Sequence, residues 1–205
     1  MKAKLIILLI SINSFSYSQN IKIIKKEIQQ SIEKQKIDLV KTSNAIWEFA
    51  ETSLVEFESS KTLMDYARKN GFDVKSGVAG IKTAFTASYG QGRPIIGILG
   101  EFDANAGISQ KLQPIKESRV PGAAGHGCGH NLFGTASLGA AVAIKEQIEK
   151  GNIKGTVIFY GTPAEETIFA KVWMVREGLF DNLDVCMDWH PGDNIESGTQ
   201  SSKSL

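Results

Sequence analysis

Residues 95–103 read Ile-Ile-Gly-Ile-Leu-Gly-Glu-Phe-Asp, an apolar run that ends in two acidic side chains. An unbroken apolar run of this length is typical of a strand buried on both faces, as in sheets covered by helices. Acidic residues at the carboxyl end of such a strand lie where α/β proteins place their functional sites. The segment therefore predicts an α/β fold with a site near Glu101 and Asp103.

Helical and strand-like patterns alternate around this segment. Apolar residues at helical spacing predict one or two helices over 20–51 and further helices over 58–70, 131–150 and 165–177. Strands are predicted over 72–76, 81–89, 94–100, 156–160 and 184–189. Gly90-Gln91-Gly92 is typical of a hairpin turn, and residues 104–125 predict a long loop. The expected fold class is α/β, with helices around a mixed, largely parallel sheet.

Composition and charge exclude several classes of protein. The 205 residues are 42% hydrophobic and 22% charged, which is ordinary for a globular domain and excludes collagen-like and wholly disordered chains. The formal net charge is +1, so no strong positive field favours binding to nucleic acid or to an anionic membrane surface. No nucleic-acid partner is expected.

The amino terminus has the pattern of a secretory signal peptide. Lys2 and Lys4 precede an apolar run over 5–12, and Ser16 and Ser18 precede a plausible cleavage site before Gln19. The run is shorter than the roughly 20 residues of a membrane-spanning helix. We therefore predict that residues 1–18 are removed, that the protein is periplasmic or secreted, and that no stable membrane span remains. An uncleaved anchor is the alternative.

The two cysteines of an exported chain could form a disulfide. Their sequence contexts favour separate roles, because Cys128 lies between His126 and His130 in a glycine-rich segment, whereas Cys186 lies in an apolar, strand-like run. We expect Cys186 to be a buried small hydrophobic residue.

Side chains suited to metal binding gather at four predicted strand ends: Glu101/Asp103, Cys128/His130, Glu165/Glu166 and His190. Thiolate, imidazole and carboxylate together suit zinc or a similar divalent ion. Adjacent carboxylates point in different directions, so one of Glu165 and Glu166 can bind metal while the other accepts a proton. Taken singly, each group has a simpler explanation: a glycine-rich turn, acids at a helix start, or a structural histidine. Their occurrence together favours a metal site.

Four ordered motifs resemble those of the metal-dependent amidohydrolases, a family that includes aminoacylases, hippurate hydrolases and indole-acetyl-amino-acid hydrolases. The motifs are Glu101-Phe102-Asp103-Ala104, Gly125-His126-Gly127-Cys128-Gly129-His130-Asn131-Leu132, Pro163-Ala164-Glu165-Glu166 and Asp188-Trp189-His190-Pro191-Gly192-Asp193. The second motif is most similar to that of the branch acting on aminobenzoyl-glutamate.

The resemblance implies a site with two divalent metal ions, zinc or manganese. It implies that Cys128, His130, Glu166 and His190 are metal ligands, that Glu165 is the general base and acid, and that Asp103 orients a ligand. The implied substrate is a small N-acyl amino acid, and no substrate-binding residue is identified.

Members of this family are usually considerably longer than this chain. By resemblance, residues 19–191 form the amino-terminal part of the catalytic domain, and 192–205 are a polar tail leading toward a dimerisation domain, so full-length relatives are expected to be dimers. The later part of such enzymes supplies a last metal-binding histidine. Two alternatives remain: a non-catalytic truncated fragment with a partial metal site, and a cysteine amidase that uses Cys128 with His126 or His130.

Overall fold

The computed structural model describes residues 2–192 and 194, with side chains described from residue 20 onward. In chain order the elements are α1 (Lys2–Phe49), α2 (Phe57–Lys69), β1 (Asp73–Ser76), a 3-10 turn (Val78–Gly80), β2 (Phe85–Gln91), β3 (Ile95–Gly100), α3 (His130–Glu149), β4 (Gly155–Gly161), α4 (Ala170–Arg176) and β5 (Val185–Met187). The α/β fold class is confirmed.

The first helix is continuous through Phe49, so the two-helix alternative for residues 20–51 is wrong. From Lys2 onward, the predicted signal segment (residues 1–18) forms part of this helix. Its removal stays a prediction. Among the described residues, no helix combines the length and apolarity needed to cross a membrane. The predicted polar tail lies outside the described residues apart from Gly192 and Asn194.

The five described strands form one mixed sheet in the order β1-β2-β4-β3-β5. The β1–β2 and β2–β4 pairings are antiparallel, whereas β4–β3 and β3–β5 are parallel. The predicted hairpin between β2 and β3 is wrong, because β4 lies between them: Val157 pairs with Tyr89 on one side and with Ile96 on the other. The glycine-rich turn reverses the chain, but a strand from much later in the sequence fills the gap.

The hydrophobic core lies between the sheet and helices α2 and α3, which pack on the same face, and α1 packs across both helices. Its centre includes Phe85 and Phe159, whose ring centroids are 5.6 Å apart, with Leu63 of α2 and Leu138 of α3. Each such buried side chain contributes about 1.5–3 kcal/mol. This packing fixes α3 against the sheet and therefore fixes the position of its first residue, His130.

Several local predictions differ from the structure at the carboxyl side of the sheet. The loop predicted over 104–125 is confirmed within the longer connection between β3 and α3. The helix predicted over 165–177 begins only at Ala170, so Glu165 lies in a turn and not in the first turn of a helix. Cys186 is exposed and not buried, because β5 is at the edge of the described sheet. Both cysteines are free within the described part of the chain.

Candidate metal centre

The predicted site residues converge at one edge of the sheet. Strands β4, β3 and β5 are parallel neighbours, so their carboxyl ends reach the same edge. Glu101 and Asp103 follow β3, Glu165 and Glu166 follow β4, and His190 follows β5. Helix α3 begins at this edge with His130, preceded by Gly129 in the left-handed conformation (φ 77°), which favours glycine.

His130 is fully buried between carboxylates. Its Nδ1 lies 2.9 Å from Asp103 Oδ1, and because a carboxylate accepts, Nδ1 donates. The other Asp103 oxygen accepts a hydrogen bond from the Glu166 backbone N–H at 3.0 Å. Asp103 therefore orients the imidazole so that Nε2 is directed into the site, the arrangement by which carboxylates position metal-binding histidines.

The electrostatic field at His130 strongly favours positive charge. Burial alone would lower the pKa of His130, but Asp103 and Glu101 raise it to about 10. Burial would likewise raise the pKa of Asp103, but His130 and the Glu166 backbone N–H hold it below its usual range. A field that stabilises an imidazolium also stabilises a metal cation at the same place.

Cys128 and His190 form a second pair, with Sγ 3.4 Å from Nε2. The Nδ1 of His190 donates to the carbonyl of Pro191 at 2.9 Å, so the lone pair of the neutral ring is at Nε2, facing the sulfur. The ring also packs edge-on against His130 and Phe133, with centroids 5.6 and 5.8 Å away. These contacts orient His190 although its side chain is exposed.

The environment of Cys128 disfavours its thiolate when no cation is bound. Burial and the negative charge of Glu166 raise the pKa of the thiol to about 11. Neither His126 nor His130 makes a hydrogen bond to the sulfur among the described residues, since His126 Nε2 donates to the carbonyl of Ile46 and His130 is held by Asp103. This arrangement disfavours the cysteine-amidase alternative.

The two adjacent glutamates differ in their surroundings. Burial, followed by the charge of Glu101, raises the pKa of Glu165, which brings this carboxyl closer to the range of a general base. Glu166 Oε1 lies 3.8 Å from His130 Nε2. Glu165 thus has the character of a proton acceptor, although one of its oxygens also lies within 4.8 Å of ligand atoms of Glu101 and His130. Glu166 has an oxygen beside His130 but is in neither group of mutually close ligand atoms among the described residues.

Three buried atoms at this edge have no hydrogen-bond partner among the described residues: Glu101 Oε2, His130 Nε2 and Glu166 Oε1. A buried polar atom left unpaired costs about 1–3 kcal/mol, so such a concentration calls for a ligand. Potential ligand atoms lie within 4.8 Å of one another in two groups, Cys128/His130/His190 and Glu101/His130/Glu165. Sulfur, nitrogen and oxygen donors in this arrangement fit divalent metal ions.

Three contributors to the site received no specific role from the sequence, and two of them, Lys171 and Glu56, were not singled out at all. The sequence marks Glu101 only as an acid at a strand end, yet it contacts His130 and forms an ion pair with Lys171. Lys171 and Glu56 have no signal beyond their charge. Glu56 is fully buried, and its Oε1 accepts the backbone N–H of Ala164, the residue before Glu165, at 3.0 Å.

The fold resembles part of known metal-dependent hydrolases. A dinuclear metal-binding peptidase of the M20 family from Bacillus subtilis superposes with a TM-score of 0.63, at 24% identity, over 73% of this chain and 41% of the other. An aminobenzoyl-glutamate utilization protein from Klebsiella pneumoniae gives 0.60, at 14% identity, over 81% and 46%. At these identities the likeness establishes the fold alone.

Sequence relatives identify the family. A p-aminobenzoyl-glutamate hydrolase chain from Escherichia coli K12 is 45% identical over 165 residues, 80% of this chain and 34% of the relative. IAA-amino acid hydrolase ILR1-like 4 from Arabidopsis thaliana is 31% identical over 159 residues, 77% of this chain and 35% of the relative. The chain belongs to the family of metal-dependent amidohydrolases, as its motifs predicted. It spans about a third of the length of these relatives, and no family model matches it.

Proposed function

We propose that this chain carries the metal site of an exported amidohydrolase that cleaves the amide bond of a small N-acyl amino acid. The observation that carries the proposal is the set of buried, unpartnered ligand atoms among the described residues, beside the Cys128–His190 pair. The similarity to a p-aminobenzoyl-glutamate hydrolase supports an aminobenzoyl-glutamate-like substrate.

In this proposal Cys128, His130, Glu166 and His190 hold two divalent ions, zinc or manganese. The thiolate and imidazoles favour zinc, whereas carboxylates are also suited to manganese. When bound, the ions supply Lewis-acid polarisation of a water molecule and of the amide carbonyl. Asp103 contributes by holding Nδ1 of His130, which leaves Nε2 free to bind.

Glu165 performs the proton transfers. Its carboxylate accepts a proton from water as the water oxygen forms a bond to the amide carbon. The carbon–nitrogen bond then breaks, and Glu165 returns the proton to the leaving nitrogen, which gives a carboxylic acid and a free amine. The raised pKa of Glu165 suits both steps, because a group with a pKa nearer neutrality accepts and releases protons readily.

Two further aspects of the proposal come from the sequence pattern and the family resemblance. Residues 1–18 would direct export to the periplasm or the exterior and then be removed. From the family resemblance we also propose that full-length relatives form dimers.

A second candidate function is metal binding without turnover. It is favoured by the small number of imidazole ligands: the chain has three histidines, and His126 donates its Nε2 hydrogen to the Ile46 carbonyl. Only His130 and His190 then serve two ions. A donor set with so few imidazoles can bind metal yet hold it in a geometry that does not support catalysis.

The proposal is tested with the purified chain lacking residues 1–18, loaded with Zn²⁺ or Mn²⁺ and supplied with p-aminobenzoyl-glutamate or N-acetyl amino acids. We expect release of the free amine, and a loss of turnover of about 10²–10⁴-fold in Glu165→Gln, because a general base contributes rate enhancement of this order. Glu177→Gln, at the exposed end of α4, is the matched control and should retain wild-type turnover.

Absence of turnover in metal-loaded chain contradicts the enzymatic proposal and supports the second candidate if two ions still bind. A chelator should abolish turnover. Turnover that survives chelation but is lost on alkylation of Cys128 would instead support the cysteine-amidase alternative.

A further inference from the structure

Glu101 belongs to one of the two groups of potential ligand atoms but has no role in the ligand set proposed above. It follows the last residue of β3 and is only 4% exposed. Burial of a carboxylate is costly unless its oxygens are paired or bind a cation. One of its oxygens, Oε1, forms an ion pair with Lys171, from the first turn of α4.

The other oxygen of Glu101 is directed at His130. Oε2 lies 2.8 Å from Nε2, and among the described residues neither atom has a hydrogen-bond partner of acceptable geometry. Both side chains are more than nine-tenths buried, and a Glu165 oxygen lies within 4.8 Å of a Glu101 oxygen and of a ring nitrogen of His130. The two atoms therefore form a buried ion pair when the imidazole is protonated, and they become two adjacent ligand atoms when Nε2 is deprotonated.

A shared ion requires only a small adjustment of these atoms. Ligands about 2 Å from a tetrahedral zinc ion lie roughly 3.3 Å from each other, so Oε2 and Nε2, which are 2.8 Å apart, would separate by about 0.5 Å to bind the same ion. Because Lys171 pairs with Oε1, the carboxylate presents a single oxygen to that ion. An imidazole nitrogen has one lone pair, so His130 binds one ion only, and the Cys128–His190 pair remains available to the other.

We propose that Glu101, through Oε2, is a ligand of the ion bound by His130 Nε2. This inference rests on the proposed two-ion site and adds one protein ligand to it. Lys171 sets which oxygen of Glu101 faces the ion and offsets part of the negative charge of the surrounding carboxylates.

The test measures metal stoichiometry and affinity, independently of turnover. Wild-type chain, Glu101→Gln and the control Glu177→Gln are stripped of metal, checked by circular dichroism and titrated with Zn²⁺ against a chromophoric chelator. We expect two ions in the wild type and the control, and at least a tenfold loss of affinity for one ion in Glu101→Gln. Titration with Co²⁺ identifies the retained ion, because its thiolate charge-transfer band reports Cys128 and should persist in Glu101→Gln.

If Glu101→Gln binds each ion as tightly as the wild type does, the inference is overturned. If Glu101→Gln does not fold, Glu101→Asp takes its place. The shorter side chain keeps the charge but withdraws the oxygen from the ion, so one ion should bind more weakly. Unchanged binding by this variant also overturns the inference. A wild type that binds fewer than two ions overturns both this inference and the two-ion site. If the wild type binds two ions without turnover, and Glu101→Gln binds one of them more weakly, the ligand role of Glu101 is supported while the proposed catalysis fails.

Discussion

Replacement of Glu56 by alanine should destabilise the fold and disturb the turn that carries Glu165. Glu56 is fully buried, and its Oε1 accepts the backbone N–H groups of Leu54 at 2.9 Å and Ala164 at 3.0 Å. Its Oε2 accepts the hydroxyl of Thr83 at 2.8 Å. One carboxylate thus joins three segments that are distant in sequence, including Ala164, which has a φ of 58°.

The expected loss follows from the donors that the alanine variant leaves unpaired. Ala164 and Thr83 are buried, so their N–H and hydroxyl groups lose a partner that water does not easily replace, at about 1–3 kcal/mol each. Relief of the cost of burying the carboxylate offsets part of this, which leaves a net loss of about 3 kcal/mol. For a chain of this length, such a loss lowers the melting temperature by about 6–12 °C.

The assay is urea unfolding of metal-free protein, followed by circular dichroism. Glu56→Gln should lose only about 1 kcal/mol, because its amide oxygen still accepts both N–H groups and its NH₂ can donate to the Thr83 hydroxyl. Glu149→Ala is the matched control: its exposed pair with Lys145 is one helical turn away and is worth about 0.3–0.5 kcal/mol. If Glu56→Ala and Glu149→Ala unfold at the same urea concentration, the assignment of Glu56 as a buried link between segments is refuted.

Three further predictions concern pH, ligand orientation and helix packing. Burial raises the pKa of Glu56, so the fold holds this proton at pH values where the unfolded chain has lost it. This group therefore adds stability as the pH falls from neutral through its raised folded-state pKa. On acidification, the difference in unfolding free energy between wild type and Glu56→Gln should shift in favour of wild type. A difference that does not change with pH would contradict this prediction. Asp103→Asn should weaken metal binding about 10–100-fold in an equilibrium titration. The amide can place its NH₂ against Nδ1 of His130, which favours the proton on Nε2 and so blocks the proposed ligand atom. Unchanged affinity would count against the orienting role of Asp103. Gly134→Ala should lower the free energy of unfolding in urea by about 1–3 kcal/mol, because its Cβ would lie 2.5 Å from the carbonyl oxygen of Glu101, just past the end of β3. Gly139→Ala is the control and should lower it less, because its Cβ meets a flexible leucine side chain. Equal decreases in the two variants would show that the helix adjusts freely.

Local patterns predicted most of the regular elements. The helices over 58–70 and 131–150 and the strand over 156–160 follow from apolar periodicity, a signal that acts within one element. The site motifs were also recognisable, because the ligand-type side chains lie close to strand ends. These predictions need only a few neighbouring residues, and therefore one sequence is sufficient for them.

Other predictions failed where distant segments compete. The turn Gly90-Gln91-Gly92 indicates a chain reversal, but it cannot exclude the insertion of β4 between β2 and β3, which depends on packing between strands far apart in sequence. The helix predicted from residue 165 starts later, and the preceding turn is held by Glu56 at Ala164 and by Asp103 at Glu166. Neither hydrogen bond has a signal in the local sequence.

The sequence by itself determined the α/β class, the family and the residue types at the metal site, because these depend on composition, periodicity and ordered motifs. Only the tertiary structure decided which atoms meet: Asp103 on Nδ1 of His130, Glu101 facing Nε2, and Lys171 on the other Glu101 oxygen. These contacts join residues 27 to 70 positions apart. Their distances result from the packing of α3 and the strands around one core, which no local pattern encodes.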